Sequence, residues 1–415
     1  MPGPIIGAGF FMAKCLALLY LISMRSASPL VIILVLWGAG LGSAAQFGKV
    51  SILFDRIALH YAGAGQVTIG LIVSIVGLVG LIFGTTAGLL VQRLGYRRVL
   101  VWALGAGAML STVQAVFPPL PVMLALRAVE GLSHLAIVVA APVMIAQTSS
   151  LRYQGLAMTL WSSFFAVSFA LTAAFGLPLA IAYGDAALFM AHAAYMAVFA
   201  GLIWICLPQD SPADTDFPTA KNLLAQHATI YRSPHLSAPA MGFFCYTLTY
   251  VALLTLLPPM IGGAHQISIA TAMPLVSIAV SLTLGVWLLR MVSAIRMVQV
   301  GFAVAVVAAL CLWAFWGNDW VMVAASLTLA GMLGIVQGAS FAAIAQLNPT
   351  ADGRARAAGA IAQLGNLGTT TGTPLLAALI AGQGVSGMAL FVVMPSLLGI
   401  ALHQVQAQRR QRFVN

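Results

Sequence analysis

Residues 120–147 read LPVMLALRAVEGLSHLAIVVAAPVMIAQ, an apolar stretch long enough to cross about 30 Å of membrane hydrocarbon as a helix. Three ionisable side chains interrupt it: Arg127, Glu130 and His134. Steps of three and four residues turn a helix by about 300° and 400°, so the three side chains lie within roughly 60° of one another. A charge at mid-membrane costs roughly 2.5–3.5 kcal/mol on insertion scales, so such groups usually face protein or water. The stretch therefore predicts a transmembrane helix with one functional face.

The overall composition predicts a membrane protein along the rest of the chain. Hydrophobic residues make up 61% of the 415 positions and charged residues 6%, whereas a soluble globular protein carries about 25% charged residues. The net charge of +10 does not indicate a nucleic-acid partner, because the basic residues lie in short connections between apolar runs. We therefore expect the lipid bilayer to be the solvent of this protein.

Sequence signals for catalysis, cofactors and metals are missing. The four cysteines are scattered without paired spacing, so they predict neither a disulfide framework nor a metal knuckle. The chain has neither the His-Glu-x-x-His pattern of zinc proteases nor the Gly-x-x-x-x-Gly-Lys loop that binds nucleotide phosphates. We expect neither an enzyme nor an ATP-driven pump, and no cofactor.

Twelve apolar runs are long enough to span a bilayer. Backbone polar groups in lipid must pair internally, and no alternating ten-residue strand pattern is present, so the runs are predicted to be helices of an all-α membrane protein. They lie at roughly 29–54, 66–91, 98–116, 120–147, 153–181, 187–208, 237–261, 267–289, 297–315, 319–346, 355–382 and 385–405.

Lysine and arginine predict the orientation of these spans. If the first span starts inside, fifteen basic residues lie in inner segments and only Arg56 lies in an outer loop. Because basic residues concentrate on the cytoplasmic side, both termini are expected in the cytoplasm, at a bacterial-type inner (plasma) membrane. The fifteen are Lys14, Arg25, Arg93, Arg97, Arg98, Arg152, Lys221, Arg232, Arg290, Arg296, Arg354, Arg356, Arg409, Arg410 and Arg412.

A polar segment between the sixth and seventh spans divides the chain into two sets of six.

The N-terminal residues are apolar, but Lys14 lies in their middle and no basic segment precedes them, so they make a poor secretory signal. They are either an extra helix or an over-long reading frame whose true start is Met24. The predicted organisation is an N-terminal segment 1–28, a bundle 29–208, a cytoplasmic linker 209–236, a second bundle 237–405 and a cytoplasmic tail 406–415.

Similar residue patterns recur at corresponding positions of the two halves. Gly88 precedes Arg93 by five residues, and Gly285 precedes Arg290 by the same step. Glu130-Gly131 in the fourth span is echoed 207 residues later by Gln337-Gly338 in the tenth. Corresponding marks in two halves are typical of transporters built from repeats, which bind substrate near the midplane between the repeats.

These features together resemble the major facilitator superfamily along all twelve spans. Between spans two and three, the stretch 88–98 resembles the family's signature at the positions Gly88, Gln92, Arg93, Gly95, Arg97 and Arg98. In span four, Arg127-Ala-Val-Glu130-Gly131 resembles its Arg-x-x-Gln-Gly motif. The resemblance implies two six-helix bundles with pseudo-two-fold symmetry around a central cavity, with the first motif at a cytoplasmic gate. We expect a monomer that works by alternating access.

Two positions depart from the family's pattern. The signature has an acid where this chain has Gln92. An acid there is implied to hold the inner gate by facing the positive N-terminal end of a helix, and a neutral amide loses most of that attraction. In span five, Phe175-Gly176-Leu177-Pro178 matches the Gly-Pro element of drug antiporters only loosely. This second departure weakens an assignment as an exporter.

The resemblance places spans one, four, seven and ten around the cavity. Counting about 1.5 Å per residue from the outer ends, Lys49 lies roughly 7 Å deep and Gln46 roughly 12 Å. Arg127 lies roughly 10 Å deep, Glu130 15 Å and His134 21 Å. We hypothesise that Glu130 pairs with Arg127 or Lys49, and that a proton or an anionic substrate competes for the pairing. His134 suits the same role, because imidazole titrates near neutrality. The alternative is a fixed structural ion pair between spans one and four.

The second half offers a neutral, aromatic wall to the expected cavity. Tyr246 and Tyr250 are one helical turn apart in span seven and could stack on a ligand. Gln337 and Asn366 add amides to the expected lining, although hydrogen bonds between helices explain these polar groups equally well. A cavity charged on one wall and aromatic on the other suits a small amphipathic organic molecule.

The sequence therefore predicts a secondary active transporter whose partners are a small-molecule substrate, protons and the lipid bilayer. Proton-coupled export of a small amphipathic organic compound is the favoured hypothesis. Proton-coupled uptake of a small organic anion is the alternative, supported by Lys49, Arg127 and the poor antiporter element. A non-transporting membrane receptor is a more distant one, which would show no pH-dependent flux in liposomes.

Overall fold

The computed structural model describes residues 28–84, 86–150, 152–209 and 220–412. These residues are almost entirely helical, and none of them forms a β-strand. The predicted segment 1–28 lies outside the described residues except for Ser28, as do residues 210–219 of the linker and 413–415 of the tail. The choice between Met1 and Met24 as the start falls outside them as well.

Twelve spans are present in the described chain, as the sequence predicts. Nine helices there are long and apolar enough to cross a membrane, a bent helix pair makes a tenth, and the less apolar Tyr96–Gln114 is an eleventh. One of the nine, Ala351–Arg412, is two spans joined at Gly384, whose φ of 55° a helix cannot continue through. The bounds are Pro29–Ser51 (span 1), Gln66–Ser74 with Gly77–Phe83 and Ala87–Leu94 (span 2), Tyr96–Gln114 (span 3), Leu120–Thr148 (span 4), Gln154–Tyr183 (span 5), Asp185–Cys206 (span 6), Ala238–Ile261 (span 7), Gln266–Leu288 (span 8), Ala294–Ala314 (span 9), Asp319–Leu347 (span 10), 351–383 (span 11) and 385–412 (span 12).

Span 2 differs from its prediction as one continuous run. The segments Gln66–Ser74 and Gly77–Phe83 meet at an angle of 61°. Spans 5 and 8 are interrupted too, by π-helical turns at Thr172–Gly176 and Ser281–Gly285. Hydropathy could not show these interruptions, because the residues at a break are as apolar as their neighbours. Irregular turns of this kind often lie at functional sites of helices.

The interrupted spans are those through which the two six-helix bundles meet. Span 2 packs against span 11, and span 5 packs against span 8. A step of six spans converts the first contact into the second, which is what pseudo-two-fold symmetry between the halves requires. The other major contacts lie within one half, such as spans 3 and 6 in the first and spans 9 and 10 in the second.

Spans 2 and 11 touch through small residues. A Cβ atom on Gly70 would lie 2.6 Å from the backbone of Pro374, and one on Gly80 would lie 2.4 Å from the side chain of Asn366. Between these points, Ser74 Oγ donates a hydrogen bond to the carbonyl of Thr370 at 2.8 Å. This seam therefore lets two backbones from different bundles approach closely, as small residues do in membrane proteins.

The bundles are closed together at the end predicted to face outside. Thr255 Oγ1 of span 7 donates to Ser51 Oγ of span 1 at 3.0 Å. Beside this contact, Phe54 and Ile57 of the short helix Phe54–His60 are buried. The described chain is therefore held closed between spans 1 and 7 at the predicted outer end.

Candidate coupling site

Lys49 lies at the centre of a buried cluster inside the first bundle. Its Nζ donates to Glu130 Oε1 at 2.8 Å and to Ser111 Oγ at 2.9 Å, and lies 3.3 Å from Nδ1 of His192. Each of the three ammonium N–H groups thus has an acceptor, while the side chain is fully buried. The ring of Phe189 lies 5.1 Å from the same nitrogen and adds a cation–π contact. A buried charge is tolerated only when it is paired and hydrogen-bonded in this way.

Glu130 binds two cations at once. One carboxylate oxygen accepts from Lys49, and the other accepts from Nη1 of Arg127 and from Nε2 of Gln114, the latter at 2.8 Å. All three ionisable side chains have no exposed surface. The cluster therefore holds two positive charges and one negative charge away from solvent.

Arg127 also contacts the backbone of span 2. Its Nε donates to the carbonyl of Ile72 at 2.7 Å, and its Nη2 donates to that of Val73 at 3.0 Å. One guanidinium group thus bridges Glu130 and the segment at which span 2 bends. The planar fork of arginine allows three such bonds at fixed angles, which a lysine could not make.

His192 of span 6 belongs to the cluster and was not among the residues predicted from the sequence. Its Nε2 lies 3.0 Å from the carbonyl of Gly42, so this nitrogen carries the proton and Nδ1 is left to accept from Lys49. A depth count could have found it, because it lies seven residues into Asp185–Cys206, roughly 10 Å deep and level with Arg127.

His134 and Gln46 lie beside the cluster but not in it. His134 Nδ1 is 2.9 Å from Ser43 Oγ, and its ring packs edge-on against Phe47 at 5.0 Å. Gln46 is fully buried and donates to Ser133 at 2.9 Å, within the first bundle. The expectation that Gln46 lines the cavity does not match this placement, because depth along a helix fixes the height of a side chain and not its direction.

The cluster is sealed from water in this conformation, which differs from the central cavity expected beside Glu130. Its ligands come from spans 1, 3, 4 and 6 and from the span 2 backbone, all within the first bundle. Exchange of a proton or an ion at Glu130 therefore requires movement of these spans. Without such movement, the cluster would be the fixed structural ion pair that the sequence also allows.

The aromatic wall of the second half is formed as a stacked pair. The rings of Tyr246 and Tyr250 lie 5.0 Å apart at an angle of 27°, and Phe243 extends the row at 5.4 Å from Tyr246. These rings belong to one continuous buried core that also contains Phe47 of span 1. Aromatic side chains of both bundles therefore contribute to the same buried core.

The two amides expected beside the aromatic wall lie in different surroundings. Gln337 in span 10 is half-buried. Asn366 lies in the seam against Gly77 and Gly80 of span 2, and its amide donates to the carbonyl of Ala362. The structure therefore places Asn366 between the bundles' packed spans and not at an open cavity.

The residues of the predicted cytoplasmic gate lie at the turn between spans 2 and 3. Gly95 makes the turn with a φ of 93°, which favours glycine. Arg97 donates to the carbonyl of Trp204, and its guanidinium lies 4.5 Å from the centre of that ring, which ties span 3 to span 6. The exposed positions of the motif are Gly88, Gln92, Arg93 and Arg98.

The linker helix Ala220–Arg232 makes a second contact at this end. Tyr231 donates its hydroxyl to Gln363 Oε1 at 2.8 Å, and Gln363 Nε2 donates to the carbonyl of Leu81 at 3.4 Å. Partial burial raises the pKa of the Tyr231 phenol, which favours its role as a donor. Gln363 therefore connects the linker, span 11 and span 2.

Comparisons with known proteins agree with this architecture. A family model described as Major Facilitator Superfamily matches residues 44–373. The fold is similar to the crystal structure of a bacterial homologue of the human lysosomal transporter Spinster, in an inward-facing and unoccupied conformation. The match has a TM-score of 0.72 at 12% identity and covers 92% of this chain and 98% of the other. No match was found among curated proteins.

Proposed function

Because the chain belongs to the major facilitator superfamily, we propose that this membrane transporter couples the movement of a small amphipathic organic compound to protons by alternating access, in the direction of export. The observation that supports proton coupling is the buried contact of Lys49, Arg127 and Glu130. Two cations and one carboxylate without solvent exposure form a group whose stability depends strongly on one proton.

In the proposed cycle, the proton and the movement of the bundles compete at Glu130. Two adjacent cations favour the ionised carboxylate. When span 1 or the span 2 backbone shifts during the transition, Lys49 or Arg127 separates from Glu130, and the carboxylate then accepts a proton. Return of the cations expels it. The proton therefore crosses the membrane only when the bundles rock.

The stacked tyrosines of the second half support an amphipathic substrate. Tyr246 and Tyr250 offer ring faces and phenol hydroxyls to a molecule that enters between the bundles. The hydroxyl of Tyr250 is buried beside Ser277 of span 8, and a polar group of the substrate would compete for this contact.

The membrane setting of this proposal follows the basic residues. With both termini on the cytoplasmic side of a bacterial-type inner membrane, the contact between Ser51 and Thr255 closes the outside. We propose that the working unit is a monomer, because each of the two halves supplies one wall of the path.

Reconstitution into liposomes tests the proposal. The purified chain is first screened by thermal shift against small amphipathic organic acids and bases, since a ligand of the folded state raises its melting temperature. Hits are then loaded into vesicles with a pH gradient. Flux should follow the pH gradient and stop when a protonophore is added. Flux indifferent to pH, or none with any compound that binds, would reject proton coupling.

Uptake of a small organic anion by proton symport is the second candidate. It is supported by the excess of positive charge in the cluster, where Lys49 and Arg127 outnumber Glu130. The direction of the gradient separates the two candidates. Protons move from the acidic to the alkaline side. Symport therefore accumulates the compound on the alkaline side, whereas antiport accumulates it on the acidic side.

Substitution of the tyrosine pair tests the proposed substrate wall. Tyr246→Ala and Tyr250→Ala should each weaken apparent substrate affinity roughly tenfold, because a stacking contact is lost. Proton coupling per molecule transported should persist. The matched control is Tyr183→Ala, at a side chain 77% exposed. Equal affinities for all variants would exclude the pair from the substrate site.

A further inference from the structure

The bend in span 2 frees two backbone carbonyls. In a continuous helix, Ile72 and Val73 would accept from the amides of residues 76 and 77. Neither bond forms in the described chain. Arg127 of span 4 supplies the missing donors, through Nε to Ile72 and Nη2 to Val73. A buried carbonyl without a donor is unfavourable, so the guanidinium stabilises the bent form of span 2.

The glycine of the same motif also serves the bend. A Cβ atom on Gly131 would lie 2.4 Å from the carbonyl oxygen of Val76, at the point where span 2 changes direction. Only a residue without a side chain lets span 4 approach there. Arg127 and Gly131 therefore both act on the break, from one side of span 4.

The second half has no such arginine. The offset of 207 residues that relates Glu130 to Gln337 relates Arg127 to Gly334. A Cβ on Gly334 would lie 2.1 Å from the carbonyl oxygen of Ser277 in span 8, so the two helices pack directly. Among the described residues, a bent span held by an arginine therefore occurs only in the first half, where the ionisable cluster also lies.

The bend faces the other bundle. Ser74, the last residue before the break, donates to the carbonyl of Thr370 in span 11 at 2.8 Å. Immediately after the break, a Cβ on Gly77 would lie 2.5 Å from the Thr370 hydroxyl. A change in the bend must therefore move the contact between spans 2 and 11.

We propose that Arg127 is a positioning residue that transmits the charge of Glu130 to the bend of span 2, and so to the seam between the bundles. The proposal rests on the proposed function, which makes Glu130 the group that takes up the proton. The same planar guanidinium binds Glu130 through Nη1 and the break through Nε and Nη2. Loss of the carboxylate charge removes the ion pair between Arg127 and Glu130. The guanidinium is then less firmly positioned, and its hydrogen bonds to the carbonyls of Ile72 and Val73 weaken.

Other charged, titratable and neutral side chains also surround Glu130. Span 1 contributes Lys49, span 3 the neutral Ser111 and Gln114, and span 6 His192. The remaining titratable neighbour is His134, one turn further along span 4. Of these groups, none hydrogen-bonds the carbonyls of Ile72 and Val73, which accept from Arg127 within the described chain.

A spin-label distance across the break measures the bend directly. Gly65→Cys and Gly88→Cys place labels at the two ends of span 2, where a side chain meets no atom within 4 Å. The native cysteines are replaced by serine. The two Cα atoms would be roughly 34 Å apart in a straight helix and roughly 30 Å apart with the observed 61° bend. The distance is recorded by pulsed electron paramagnetic resonance between about pH 5 and about pH 8, because lower pH favours the conformation in which a cation has left Glu130 and the carboxyl group is protonated.

We expect the distance between the two labels to depend on pH in the wild-type chain. In Arg127→Lys it should be independent of pH and closer to the value of a straight helix. Lysine keeps the charge beside Glu130 but cannot bind both carbonyls. Glu130→Gln should shift the distance in the same direction, and the double variant should add nothing further. The matched control is Arg97→Lys, another arginine that donates to a carbonyl, and it should leave the distance unchanged.

A wild-type distance and pH profile in Arg127→Lys would overturn the inference. If Arg127→Lys does not fold, Gly131→Ala replaces it, because it leaves every charge in place and crowds the Val76 carbonyl. If the label distance shifts in Arg127→Lys but not in Glu130→Gln, then Arg127 stabilises the bend independently of the charge of Glu130. This result would also overturn the inference. Failure of the proposed function is seen separately, as proton-coupled flux that survives Glu130→Gln.

Discussion

Glu130→Gln is expected to lower the free energy of unfolding by about 3–5 kcal/mol, the range measured when one partner of a buried ion pair is removed. In the wild-type chain, Lys49 and Arg127 share one carboxylate and none of the three is exposed. An amide of the same shape leaves two positive charges in contact with a neutral group. Denaturant titration of the purified protein in detergent measures the loss.

A second substitution should reverse much of this effect. Lys49→Met combined with Glu130→Gln returns the cluster to one net positive charge and fills the space of the lysine stem with an apolar chain. The matched control is Asp185→Asn, which breaks the partly exposed pair with Arg56 and should cost about 1 kcal/mol or less. Equal losses for Glu130→Gln and Asp185→Asn would show that the buried ion pairs of Glu130 stabilise the fold no more than a partly exposed pair does.

Gly70→Val is expected to shift the protein away from the conformation that is closed at the predicted outer end. A Cβ on Gly70 would lie 2.6 Å from Cα and 2.8 Å from N of Pro374, and backbone atoms cannot move aside as a flexible side chain can. Overpacking of this kind costs roughly 1–3 kcal/mol. Because the cost falls only on the state in which spans 2 and 11 touch there, populations should shift roughly 5- to 150-fold.

Labelling of a cysteine at the closure measures that shift. Ser51→Cys, in a background without native cysteines, lies at a side chain 2% exposed beside Thr255. A membrane-impermeant thiol reagent should label it much faster when Gly70→Val is present. Gly65→Val is the matched control, since it lies at the same end with no atom within 4 Å of its Cβ. Unchanged labelling with Gly70→Val would mean that the seam does not hold this end closed.

Much of the architecture could be predicted from the sequence. Twelve apolar runs, a polar linker and two echoed motifs were sufficient for the twelve helices and their division into two halves, because lipid forces each run into a helix of fixed length. The breaks in spans 2, 5 and 8 could not be predicted. They depend on contacts such as that of Arg127 with the carbonyls of Ile72 and Val73, which join residues 54 or more positions apart.

The candidate site shows the same division between what a helix determines and what packing determines. Helical spacing placed Arg127 and Glu130 on one face, and a depth count placed Lys49 at a similar height. Direction around the helix axis was beyond such reasoning, so Gln46 was expected at a cavity and lies inside a bundle. His192 was missed because the depth count was not applied to span 6, where this residue lies roughly level with Arg127.

The measurement that tests the central claim most directly is proton-driven flux through Glu130→Gln in liposomes, compared with exchange of substrate across the same vesicles. If Glu130 takes up and releases the proton, flux driven by a pH gradient should fall to background while exchange continues. The pair Lys49→Met with Glu130→Gln repeats the test in a variant of restored net charge. Gradient-driven flux that stays at the wild-type level in both variants would contradict the account and leave the cluster as a structural ion pair.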